Sequence, residues 1–268
     1  MDWDIVDERP KYRVCQTGFT LIALALGLLC IDSVLDLTTW FTGNQAIRTI
    51  LRDPLWTWLV GAPITWGSLL GSYLLLGRWN EPDWRRRAGL LVLMNTADAG
   101  FWILNHGDAL GLRLGPAPHP WVRMHVGMAM GWAELALIAG LAADVSVRLG
   151  RAQAIEAGRA ARSCALFGVM LWAIWFLTQT RWNHWPLNAQ KLNLEGLLLM
   201  LASTLWVVLT SFQVTILCIL ASRQCGRVIR DLNRDDQDHD LLRSRSEIAW
   251  QDPSYDDPWT APQSDPWA

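Results

Sequence analysis

Six long apolar stretches constrain this chain more than any other feature. A bilayer core about 30 Å thick takes roughly 20 apolar helical residues to cross. Windows of about that length lie at residues 14–37, 55–76, 88–105, 121–147, 163–180 and 192–221. Lipid offers the backbone no hydrogen-bond partner, so a spanning segment must be a helix or belong to a closed barrel. Barrel strands alternate apolar and polar residues, whereas 18–29 and 192–201 are largely apolar and do not sustain that alternation. The expected fold is therefore all-α: a polytopic bundle of six transmembrane helices. Residues 1–13 form a cytoplasmic N-terminal tail, 14–221 the membrane domain and 222–268 a cytoplasmic C-terminal tail. The first span is read as retained rather than cleaved, because its charged leader is long and partly acidic.

Charge predicts the orientation. An even number of spans puts both termini on one side. That side carries 17 of the 23 lysines and arginines, among them Arg85–Arg87, Arg148, Arg159, Arg162, Arg223 and Arg227. The opposite loops carry Arg48, Arg52, Arg113, Arg123, Arg181 and Lys191. The positive-inside rule makes the richer side cytoplasmic, and the expected location is the cell (inner) membrane. Trp40, Trp56, Trp79, Trp84, Trp121, Trp182 and Trp185 fall near span ends, where an indole ring suits the headgroup level. A net charge of −2 with no basic, aromatic-rich stripe argues against a nucleic-acid partner.

Loops and cysteines add detail. Asn44 precedes Ala46, Ile47, Ile50 and Leu51 at helical spacing and Pro54 follows, which predicts a short capped amphipathic helix. The five cysteines form no CxxC pair, so a cysteine zinc site is not expected.

Ionisable residues inside spans are the main functional leads, because a mid-bilayer charge is costly. Asp98 and Glu134 fall near the midplane of adjacent antiparallel spans. Asn95, Asp98, Trp102 and Asn105 form one polar stripe. Gly127, Gly131 and Glu134 share a face. The GxxxG pair predicts close helix contact and directs Glu134 into the bundle, and such faces could also meet other membrane subunits. Asp98 and Glu134 would share a proton or cation, or simply hold helices together. Asp32 and Asp36 share a face of the first span near the outer side. His106, His119, His125 and His184 map to that same side, where imidazole and carboxylate suit zinc, copper or iron. Their spacing matches no HExxH, so no bound metal or other cofactor is expected. Signatures for serine nucleophiles, phosphate loops and dinucleotides are absent.

The C-terminal tail is distinct. Asp257-Pro258-Trp259 recurs as Asp265-Pro266-Trp267. The tripeptide resembles the short adaptor-binding peptides of clathrin-coat partners, a likeness three residues long. Repeated aromatic anchors suit multivalent docking of a protein partner. Residues 252–268 hold too few aliphatic side chains to fold alone. These features favour a non-enzymatic membrane subunit or anchor that recruits a partner through its tail. One alternative is a proton, cation or small-solute pathway using the midplane carboxylates. Another is an outer-face metal-dependent membrane enzyme.

Overall fold

The computed structural model describes residues 8–76, 81–106, 120–149, 153–182 and 194–251, and these contain helices and no strand. The helices are α1 (Arg9–Thr42), α2 (Gln45–Arg52), α3 (Pro54–Trp56), α4 (Ala62–Leu75), α5 (Pro82–His106), α6 (Pro120–Arg148), α7 (Gln153–Trp182) and α8 (Leu194–Gln251). Among the described residues, three stretches are long and apolar enough to cross a membrane: Arg9–Thr39 of α1, His125–Arg148 of α6 and Leu201–Asp238 of α8.

Local chemistry explains the helix limits. Pro10 sits in the first turn of α1, where its missing N–H costs nothing, so the helix begins before the apolar run. Gly43 ends it in the left-handed conformation, with φ 63°, and donates its N–H to the Thr39 carbonyl. Asn44 then caps α2, accepting from the backbone N–H groups of Ala46 at 2.9 Å and Ile47 at 3.4 Å, as its sequence predicts. The second apolar run is less regular than expected. Thr57–Gly61 form a π-helical turn between α3 and α4, closed by the Ala62 N–H on the Thr57 carbonyl. Pro63 follows. Proline has no N–H and its ring crowds the carbonyl four residues back, so the wider turn relieves the strain.

The described residues up to Gly226 form one compact unit, and those from Arg227 onward a second. In the first unit each long helix packs on the next: α1 on α4, α4 on α5, α5 on α6 and α6 on α7. Side chains continue the series. Trp206 of α8 donates to the Cys164 carbonyl of α7 at 2.7 Å, and Thr20 of α1 shares a 2.8 Å hydrogen bond with Ser222 of α8. The contacts return from α8 to α1, so the six long helices make a ring. Neighbours run antiparallel: Gly18 and Ala25 of α1 face Gly71 and Gly67 of α4. One end of the ring consequently gathers Arg13, Arg85–Arg87, Arg148, Arg159, Arg162 and Arg223. Core packing passes the expected limit of Ala221, because Cys225 is fully buried.

The closest approaches occur at small residues that GxxxG reasoning did not select. A Cβ on Gly71 would lie 2.7 Å from Ile22 Cγ1 and 2.8 Å from the Gly18 carbonyl oxygen. On Gly158 it would lie 2.3 Å from the Ala143 Cβ. At Gly127 and Gly131 nothing lies within 4 Å. The expectation of close helix contact there is corrected: both glycines leave space open. Trp84 corrects another expectation. It is fully buried, and its indole N–H donates to the Leu75 carbonyl at 3.0 Å, satisfying an acceptor exposed where α4 ends. It is not a headgroup anchor.

Outward faces are apolar. Leu24, Leu59, Leu93, Leu166, Leu177 and Phe212, drawn from α1, the π turn, α5, α7 and α8, are all exposed.

Candidate functional site

The open side of Gly127 and Gly131 belongs to a cavity of about 230 Å³ inside the ring. Leu26 and Leu29 of α1, Ser68 of α4, Trp132 and Leu135 of α6, and Val207 of α8 complete most of its wall. Glu134 supplies the one carboxyl. The cavity exists because glycine repeats at i and i+4 on one face of α6, where any side chain would project into it. Glu134 lies three residues after Gly131 and therefore borders the same space. Its Oε1 is enclosed and has no hydrogen-bond partner among the described residues. A buried polar atom without a partner costs about 1–3 kcal/mol. The remaining lining residues are mostly aliphatic or aromatic; Ser68 carries a hydroxyl and Trp132 an indole N–H.

Asp98 does not line the cavity. It is half-buried on α5 and near enough to Glu134 for their charges to interact. Its stripe splits in role. Asn95 is buried and turns its amide back to the Leu91 carbonyl at 3.0 Å. Trp102 is buried at the centre of an aromatic group, 4.9 Å from Trp58 and 4.8 Å from His106 between ring centroids. The π turn places Trp58 there. The Asn105 side chain lies outside the described residues.

The outer-side candidates serve packing. Asp32 accepts the Trp56 indole N–H at 2.8 Å, which ties α1 to α3. Asp36 is exposed on the same face, within electrostatic range of Asp32 and Arg48. His106 donates from Nδ1 to the Trp102 carbonyl at 2.9 Å. His125 is buried against α7, 4.9 Å from the Phe176 ring and 6.2 Å from that of Trp172. The structure thus separates His106 from His125 and brings neither to Glu134. His119 and His184 lie outside the described residues, as does the tail with Asp257, Pro258, Trp259, Asp265, Pro266 and Trp267. Among the described residues, no three histidine, cysteine, aspartate or glutamate side chains converge in a way that could hold a metal ion. All five cysteines are free thiols.

Sequence reasoning found Glu134 but missed the cavity. The signal was present in the spacing of Gly127, Gly131 and Glu134, yet the same spacing also describes a tight helix contact. No protein-family model, curated protein or solved structure matches this chain.

Proposed function

We propose that this chain is a six-span membrane protein, with both termini cytoplasmic, that binds and passes a small apolar solute bearing a protonated amine. The observation that carries this reading is the unpartnered Glu134 oxygen on the wall of an otherwise apolar cavity. An ammonium group would satisfy that oxygen with a charge-assisted hydrogen bond. The aliphatic wall suits the rest of the solute, whereas a bare metal cation would need several more oxygen ligands. Asp98 strengthens the attraction for positive charge from behind the wall. The partner-recruiting alternative rests on a tail outside the described fold, so the cavity carries the conclusion.

Six spans are supported by two features. Exposed leucines stud helices beyond the three longest apolar ones. A surface of that kind matches lipid rather than water. Antiparallel order also collects the arginines at one end, which the positive-inside rule assigns to the cytoplasm. A Ser264→Cys variant should resist a membrane-impermeant maleimide in intact cells and react after permeabilisation. Labelling from outside would reject the orientation.

Binding is tested with benzylamine titrated into the detergent-purified protein and followed by calorimetry, with uptake of the same amine measured in proteoliposomes. A hydrogen bond to a charged group contributes about 1.5–3 kcal/mol, so Glu134→Gln should weaken binding at least tenfold. Gly131→Leu should fill the cavity and abolish binding and uptake without loss of fold. Toluene should bind parent and Glu134→Gln alike. Benzylamine affinity unchanged in Glu134→Gln, or no saturable benzylamine binding to the parent, would remove the reading.

A further inference from the structure

We propose that a second cavity, at the arginine-rich end of the bundle, is a binding site for a phosphate group, either a lipid headgroup or a soluble phosphate. It lies among α5, α6 and α7, has a volume of about 440 Å³ and is distinct from the Glu134 cavity. Its wall carries four arginines, Arg87, Arg148, Arg159 and Arg162, and three acids, Glu81, Asp83 and Asp144.

The acids do not neutralise the arginines evenly. Glu81, just before α5, pairs with Arg148 of α6. That guanidinium holds the Glu81 carboxyl below its ordinary range, so the pair stays ionised at neutral pH. Asp144 pairs with Arg87 at 2.5 Å. Arg87 Nε also donates to the Asp83 carbonyl at 3.2 Å, which fixes its guanidinium from two sides. Arg159 and Arg162 of α7 are exposed on this cavity, and neither forms an ion pair or hydrogen bond with any described residue.

Arginines from two helices converge on α6. A Cβ on Gly140 of α6 would lie 3.5 Å from Arg87 Nη1 and 3.9 Å from Arg162 Nε. Two guanidinium groups from different helices therefore meet over one bare backbone position. Gly158 lets α7 approach Ala143 of α6, which brings Arg159 and Arg162 over the same cavity. Like charges held near one another repel, and an anion between them removes that repulsion. Planar guanidinium forks match the oxygens of a phosphate, and Arg is favoured for such recognition.

Position indicates how the phosphate could be presented. The cavity borders the Arg148 end of the apolar stretch His125–Arg148, which is where headgroups meet a spanning helix. Basic pockets between helices at the cytoplasmic face bind anionic headgroups. The Glu134 site requires none of these residues, so either site can fail without the other.

The test uses the full chain, delipidated in maltoside detergent and titrated under native mass spectrometry with phosphatidic acid, phosphatidylglycerol or phosphatidylcholine. Inorganic phosphate is added in a separate competition arm. The two anionic lipids should bind at least tenfold more tightly than zwitterionic phosphatidylcholine. Arg159→Gln/Arg162→Gln should lose that preference, while Arg86→Gln/Arg223→Gln, at the same end but away from the cavity, should keep it. Displacement of the lipid by millimolar inorganic phosphate, or phosphate binding without lipid preference that is lost in Arg159→Gln/Arg162→Gln, would identify a soluble phosphate as the source. Retained binding without competition would identify the lipid. Unfolding midpoints of both double variants check that the fold survives; should the first fail to fold, Arg162→Gln alone is read in its place. Neither lipid preference nor phosphate binding in the parent, or equal effects of the two double variants, overturns the proposal.

Discussion

Gly168→Ala is expected to unfold well below the parent protein, whereas Gly131→Ala unfolds at or above it. Alanine is favoured over glycine inside a helix by about 0.8–1 kcal/mol, which alone would stabilise both variants. Space decides the sign. A Cβ on Gly168 would sit 2.4 Å from Cη2 and Cζ3 of Trp132, a large ring that is 2 % exposed and would have to shift to admit it. Overpacking of this kind costs about 1–3 kcal/mol, enough to outweigh the helix gain at most of that range. At Gly131 the new methyl enters the cavity and touches nothing within 4 Å. Thermal unfolding in one detergent, with tryptophan fluorescence as the signal, compares the pair. An unchanged or raised midpoint for Gly168→Ala would show that α6 and α7 do not pack as described.

Glu134→Met is expected to make the protein more stable and unable to bind the amine. Methionine has nearly the same length as glutamate and carries no charge, so it replaces the unpartnered Oε1 with an atom that needs no hydrogen bond. Removal of an unsatisfied buried polar group returns about 1–3 kcal/mol. A gain in stability joined to a loss of binding is the pattern of a site whose polar group is kept for function. A fall in unfolding midpoint for Glu134→Met would mean that the carboxyl is satisfied in the folded protein. The site reading would then fail together with the stability argument.

Helix positions were legible because their causes are local. Five of the six apolar windows each fall in one α-helix where described, the second is divided by the π turn, and the cap at Asn44 lies where its side chain and the following apolar spacing predict. The break at Thr57–Gly61 is signalled by Pro63 and not by hydropathy, which does not register a missing N–H. The role of Trp84 was not legible. An indole near a span end suits the headgroup level or a buried carbonyl equally well, and only the approach of α5 to Leu75 selects the second.

The sequence by itself determined an all-helical, apolar, charge-asymmetric chain, since helix length and arginine placement depend on each residue's own chemistry and its near neighbours. Tertiary structure decided what each small or charged residue does. Glycines spaced alike along a helix end up either closing a contact, as at Gly67 and Gly71, or opening a cavity, as at Gly127 and Gly131. The difference lies in how each helix is rotated against its partners, which spacing within one helix does not encode. The same holds for Arg87 and Arg162. They are far apart in sequence and belong to different helices, yet both lie beside Gly140.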